Sequence, residues 1–186
     1  MDDLERIVVG VGPGGFTGIR IGVSTALALG QALGIPVVGG SSIEALALGI
    51  AAVAGEDTLV APVIDARRRE VFGALYRVRA GGRLDILAEP APYDPDQFAR
   101  EVARLSGREA VAIAGDAVAA YPEALGRSPF EPLPDGARAH RIAAVDLVRR
   151  VDAGGARPAM PLYLRLPDAE VNRRRAEASH VSRPAA

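Results

Sequence analysis

A chain of 186 residues with 22 Lys or Arg, 23 Asp or Glu and a formal net charge of −1 has no global bias toward nucleic acid or an anionic membrane. It contains no cysteine, which excludes disulfides, thiol nucleophiles and cysteine-ligated metals, and its two histidines, His140 and His180, are too far apart in sequence for a zinc-protease motif. Tryptophan is absent, so a base-stacking platform is not expected; no apolar run reaches bilayer length, and the opening Met-Asp-Asp-Leu-Glu-Arg is the reverse of a signal peptide, so a cytoplasmic location is expected.

Residues 7–11 read as a buried strand. Residues 17–33 read as a helix in which Gly18, Gly22, Ala26, Gly30 and Gly34 recur at spacing four, predicting a small-residue stripe on one face. Residues 35–38 form a short second strand. Ser41 with Glu44 three residues on is a capping box, opening a helix to about residue 54. Gly55-Glu56-Asp57 marks a boundary. Residues 59–64 and 71–78 read as strands joined by a polar hairpin, Asp65-Ala66-Arg67-Arg68-Arg69-Glu70, and residues 84–87 continue the sheet. Asp94-Pro95 signals a helix start for a helix carrying Phe98, Val102 and Leu105. A strand over 110–114 ends in Gly115-Asp116, with a short helix before Pro122. Proline-rich residues 128–136 read as irregular. Residues 139–151 read as a helix with Ile142, Val145, Val148 and Val151 on one stripe, and residues 160–166 as a last extended segment. From Glu170 the chain is polar and basic. Alternating strands and helices predict an α/β protein. Its first half holds only two strands, a poor independent sheet, so either the second half extends that sheet or something pairs with its edge.

The richest stretch is residues 10–22, where six glycines and a proline cross a strand-to-helix junction. Such a junction specifies a tight turn and a close approach, by a phosphate or by another backbone. Gly10-x-Gly12-x-x-Gly15 matches the dinucleotide pattern, but Pro13 removes one N–H. The next strand ends Val37-Val38-Gly39-Gly40, without the ribose-binding carboxylate, and no Gly-Lys-Ser/Thr completes a Walker loop. Interior glycines cost a helix roughly 1 kcal/mol each, so Gly22 and Gly30 imply a closely packed neighbour: the protein's own sheet or a partner protein. Arg20 is expected to pair with Asp2, Asp3 or Glu5, or to reach a partner or an anion.

The other polar candidates are weaker. Asp65 at a strand end suits a turn cap or, less simply, a metal or a base. Glu70 is expected beside Arg67 or Arg68. Arg67, Arg68 and Arg69, like Arg173, Arg174 and Arg175, fit a solvated segment or contacts with RNA phosphate. Asp116, His140 and His180 show no evident chemical partner.

Gly12-Pro13-Gly14-Gly15-Phe16-Thr17-Gly18-Ile19-Arg20-Ile21-Gly22 resembles the Gly-Pro-Gly-Ser-Phe-Thr-Gly-Val-Arg-Ile-Gly signature of the TsaB family. Further pieces of that family follow in order. They are Ile35-Pro36-Val37, Ser41-Ser42-Ile43-Glu44-Ala45-Leu46-Ala47, Ile64-Asp65-Ala66-Arg67 with Glu70-Val71-Phe72, and Pro161-Leu162-Tyr163-Leu164-Arg165. The resemblance covers about residues 1–166.

It implies an actin-like, sugar-kinase-type ATPase fold in two lobes. Residues 1–55 would be the remainder of the N-terminal lobe, 56–168 the C-terminal lobe and 169–186 a basic flexible tail. It further implies a non-catalytic scaffold in synthesis of N6-threonylcarbamoyladenosine at tRNA position 37. The partners would be a TsaD-like catalytic subunit and a TsaE-like ATPase, with a homodimer when alone and tRNA met through the complex. Catalytic residues, metal and cofactor are expected in none of this subunit, ATP and metal belonging to the catalytic partner. Gly18, Arg20, Gly22, Ala26 and Gly30, on helix 17–33, are the implied partner-interface residues. Two departures stand out. Gly15 replaces the family serine, and the family's opening segment is missing, so the first lobe is expected to be truncated at its N-terminus. The alternative function is a nucleotide-binding enzyme of the small-kinase type; a peptidase lacks a thiol, paired histidines and a serine constellation.

Overall fold

Two separate sheets carry the fold. The computed structural model describes residues 4–164; the expectations placed on Asp2, Asp3, Arg165, Arg173, Arg174, Arg175 and His180 lie outside the described residues. The first sheet pairs β1 (Ile7–Gly12) with β2 (Val37–Ser41) in parallel. The crossover between them is α1 (Phe16–Leu33), closed by Gly34 at φ 67°, the left-handed stop that glycine adopts without strain. The second sheet does not extend the first. It has five strands in the order β5 (Arg83–Tyr93), β4 (Glu70–Arg79), β3 (Leu59–Arg67), β6 (Val111–Ala114) and β7 (Phe130–Pro132). The β5–β4–β3 pairs are antiparallel, and β6 runs parallel to both β3 and β7.

Period-two alternation sorts the side chains of β3 and β4 into two cores. Val60, Ile64, Phe72, Ala74, Tyr76 and Val78 join the core beneath α2 (Ser42–Ala54). Leu59, Ala61, Val63, Val71 and Leu75 join the opposite one, with Phe98 and Val102 of α3 (Pro95–Ser106), Ala117 of α4 (Asp116–Ala120) and Leu125 of α5 (Pro122–Leu125). With both faces covered, β3 reads as a nearly continuous apolar run. Both expected helix caps are present: the Ser41 hydroxyl accepts from the Glu44 N–H, and the Asp94 carboxylate accepts from Asp96 and Gln97 with Pro95 in the first turn. Gly73 is set by packing, since a Cβ there would lie 2.6 Å from the Phe98 ring.

Two expectations are corrected. The proline-rich stretch contributes β7, whose N–H and C=O groups complete the edge of β6. The helix expected over 139–151 is broken: a 3₁₀ turn (Arg138–His140), extended residues at Arg141 and Ala143, then α6 (Ala144–Arg150) and a π turn (Val151–Gly155). The buried residues of 139–151 are Ala139, Asp146, Leu147 and Val151, while Ile142, Val145 and Val148 are exposed. Polar residues take the inward positions because ion pairs neutralise them there. Asp146 bonds Arg138 and Arg149. Arg150 Nε donates to buried Glu44 of α2 at 2.7 Å, and Arg157 closes on the other Glu44 oxygen.

This clamp fixes the chain's return to the first sheet. Arg157 exchanges both backbone hydrogen bonds with Gly39 on the outer side of β2 (2.8 and 2.9 Å), and Leu147 of α6 packs against Gly10 and Gly40. The polypeptide then crosses the carboxyl ends of β1 and β2 to reach α1.

Candidate functional site

The glycine turn is filled by the protein itself. Gly12 has φ 113°, and a Cβ there would lie 2.8 Å from the Leu162 carbonyl oxygen and 3.0 Å from Ile19 Cδ1. The Leu162 N–H donates to the Val11 carbonyl at 2.7 Å. The close approach implied by the glycines is therefore made by backbone. The first and last of the resemblance motifs, distant in sequence, meet here. Gly15 is the N-cap of α1 with no side-chain cap, and Phe16 stacks on Tyr163 at 4.9 Å between centroids. The Arg20 guanidinium lies over the Phe16 ring, 5.0 Å from its centroid, a cation–π contact. Among the described residues Arg20 makes no ion pair, so it does not pair with Glu5.

Along α1 the small-residue series splits. Ala26 and Gly30 are buried with Val23, and a Cβ on Gly30 would fall 2.3 Å from Val37 Cγ2 of β2. Gly18 and Gly22 are exposed, and nothing lies within 4 Å of where their Cβ atoms would stand. A spacing of four advances the helix 40° past a full turn at each step, so Gly18 and Gly30 differ by about 120°. The inner glycine is explained by the protein's own sheet; the outer two are not. Around them Ile21 (62% exposed), Leu29 (51%) and Leu33 point outward. Arg20 is the single charged residue in the helix's 18. A solvated helix face normally carries charge; this one presents aliphatic side chains, Thr25 and bare backbone, an exposed apolar patch.

The carboxyl ends of β3 and β6 gather the remaining polar candidates. Asp65 Oδ1 accepts the Arg67 N–H at 2.8 Å, the turn-capping role, and Oδ2 lies 3.0 Å from the Arg67 guanidinium. The Asp65 N–H donates to Asp116 at 2.8 Å, and the Tyr121 hydroxyl donates to Asp65 at 3.4 Å. Desolvation, then the Asp65 charge, raises the Tyr121 phenol above its ordinary pKa. His140 Nε2 lies 3.1 Å from the Leu133 carbonyl oxygen, and Nδ1 lies 3.2 Å from the Gly115 carbonyl oxygen and 3.3 Å from the Gly115 nitrogen. With both nitrogens on backbone, His140 acts as a brace. Among the described residues no group of three His, Asp or Glu side chains is placed to hold a metal ion, and no helix is long and apolar enough to cross a membrane.

Sequence reasoning picked out Asp65, Asp116 and His140 singly but not their convergence, and it missed Tyr121 and the Phe16–Tyr163 stack. Only the quoted Tyr163 motif hinted at the stack.

A parallel β1–α1–β2 unit and a mixed five-stranded sheet with flanking helices define the class, an actin-like ATPase fold in two lobes. The model of the family described as "TsaD: tRNA N6-adenosine threonylcarbamoyltransferase" matches residues 1–145, and the chain belongs to this glycoprotease-like superfamily of TsaD, TsaB and YeaZ. It is 40% identical over 176 residues to the uncharacterized protein Rv3421c of Mycobacterium tuberculosis, a match taking in 91% of this chain and 68% of that one. It is 47% identical over 97 residues to the uncharacterized protein ML0378 of Mycobacterium leprae (51% and 25%). It is 46% identical over 79 residues to the tRNA threonylcarbamoyladenosine biosynthesis protein TsaB of Bacillus subtilis (42% and 33%). The chain thus spans from a quarter to about two thirds of the length of these relatives. YeaZ from Pseudomonas aeruginosa has the same fold, with a TM-score of 0.68 at 27% identity over 87% of this chain and 74% of that one.

Proposed function

We propose that this chain is a non-catalytic scaffold subunit in the synthesis of N6-threonylcarbamoyladenosine in tRNA. Its α1 docks a TsaD-type catalytic subunit, and a TsaE-type ATPase joins the assembly. The observation that carries the reading is the outer face of α1, with Gly18 and Gly22 bare and Ile21 and Leu29 exposed; Arg20, about 160° around the helix from both glycines, is the helix's single charge. Gly18, Arg20 and Gly22 are the contact residues, with Ala26 and Gly30 seating the helix on its own sheet so that this face stands outward. The name of the B. subtilis relative supports the pathway. The backbone-filled turn at Gly12 and the backbone-bound ring of His140 support a role without chemistry of its own.

The test is reconstitution. Modification of a tRNA transcript by TsaD and TsaE is measured with and without this chain, and ATP binding by the isolated chain is measured alongside. Modification that depends on the chain, with no saturable ATP binding by it alone, is the expected result. Full modification in its absence contradicts the scaffold role, and saturable ATP binding would favour a nucleotide-binding enzyme.

A further inference from the structure

Side-chain identity and backbone preference disagree most sharply at the β3–β4 connection. Four non-glycine residues among those described have positive φ: Asp57 and the consecutive Arg67, Arg68 and Arg69, at 63°, 57° and 60°. The left-handed region is costly for residues with a Cβ. A two-residue hairpin connection places both of its central residues there, which is why Asn-Gly and Asp-Gly dominate such turns. This chain has arginine at both central positions, Arg68 and Arg69, and at the one before. Backbone held in an unfavoured region by its surroundings is a pointer to function.

The surroundings do hold it. Asp65 binds both the Arg67 N–H and its guanidinium, Asp116 fixes the Asp65 N–H, and the Tyr121 hydroxyl reaches Asp65. All three arginines are exposed, the Arg67 side chain at 83%. The result is a rigid, narrow tip carrying three guanidinium groups. The hollow beside it is lined by Arg69 and Arg127 but also by Asp94, Asp96 and Glu123. Those carboxylates exclude an anion from the hollow and leave the outward tip as the cationic surface.

We infer that Arg67, Arg68 and Arg69 form a preorganised contact for the phosphate backbone of RNA. The guanidinium fork matches phosphate oxygens, and a tip with fixed backbone loses little freedom when it binds. That the polyanion is tRNA rather than an acidic protein rests on the proposed function, in which tRNA is the polyanion the assembly must hold.

The test uses the chain assembled with its TsaD and measures binding of an unmodified tRNA transcript across a salt series. The variant R68N/R69G installs the favoured turn and removes two cations; R68E/R69E reverses them. R68N/R69G is expected to raise the melting temperature of the chain. It should also weaken tRNA binding roughly tenfold and flatten the dependence of log K on log salt by about one unit per arginine removed. R68E/R69E is expected to weaken binding further while the assembly stays intact. Wild-type affinity and salt slope in R68N/R69G would overturn the inference and leave a solvated turn. So would loss of TsaD association with unchanged tRNA affinity, which would mark the tip as a protein contact. If the wild-type assembly shows no salt-dependent tRNA binding, the scaffold reading falls with the inference; if only the variants match wild type, the inference falls alone.

Discussion

Tyr76 shows how closely the interior is matched to apolar side chains and how one polar atom departs from that. Its ring is fully buried on β4, and its hydroxyl has no hydrogen-bond partner among the described residues. Burial, then the nearby Glu44 charge, pushes the phenol far above its ordinary pKa. A buried hydroxyl without a partner costs about 1–3 kcal/mol. Tyr76→Phe is therefore expected to raise stability by about 1 kcal/mol, read from the midpoint of denaturant unfolding; a loss of that size would mean the hydroxyl is satisfied. Residue by residue, the local signals were legible. Ser41 with Glu44 and Asp94 with Pro95 announce helix starts because a cap acts within three residues of itself. Asp65, Asp116 and Tyr121 were not legible as a group, since they lie 51 and 56 residues apart and meet only through the parallel register of β3 and β6.

At the scale of the element, α1 offers an internal comparison. Gly22→Ala adds a methyl in open space and is expected to stabilise the free chain by up to about 1 kcal/mol through helix propensity. Gly30→Ala places a Cβ 2.3 Å from Val37 Cγ2 and 3.0 Å from the Ile35 carbonyl. Overpacking of this kind costs typically about 1–3 kcal/mol, so despite the propensity gain Gly30→Ala is expected to lower stability. Thermal unfolding of the two variants checks the pair; equal shifts would mean that α1 seats on the sheet differently. Glycine spacing in the sequence exposed the helix as unusual but did not divide its inner from its outer glycines, because that division depends on where β2 lies. In α6 the misreading had the opposite cause. Ile142, Val145 and Val148 look like a core stripe, yet Asp146 and Arg150 point inward, since their partners Arg138 and Glu44 come from other elements.

Across the whole molecule, the Glu44 clamp joins the two sheets' surroundings. It ties α2, which packs on the five-stranded sheet, to Arg150 and to Arg157, whose backbone borders β2. Removing one partner of a buried ion pair costs about 3–5 kcal/mol. Glu44→Ala is expected to approach that loss and to speed hydrogen exchange at Gly39 and Arg157 more than in α3. Uniform exchange changes would argue that the clamp is not what seats the return segment.

The organisation that results leaves β1 and β2 as a small sheet braced by α6 on one side and α1 on the other, with the far side of α1 bare. We propose that this bare side is the partner surface. Light scattering of the chain mixed with TsaD, comparing wild type with Ile21→Glu, tests it most directly. Ile21 is 62% exposed, so a charge there leaves the fold intact. A stoichiometric complex is expected for wild type and none for Ile21→Glu at equal melting temperature. A complex of undiminished stability with Ile21→Glu would contradict the proposal.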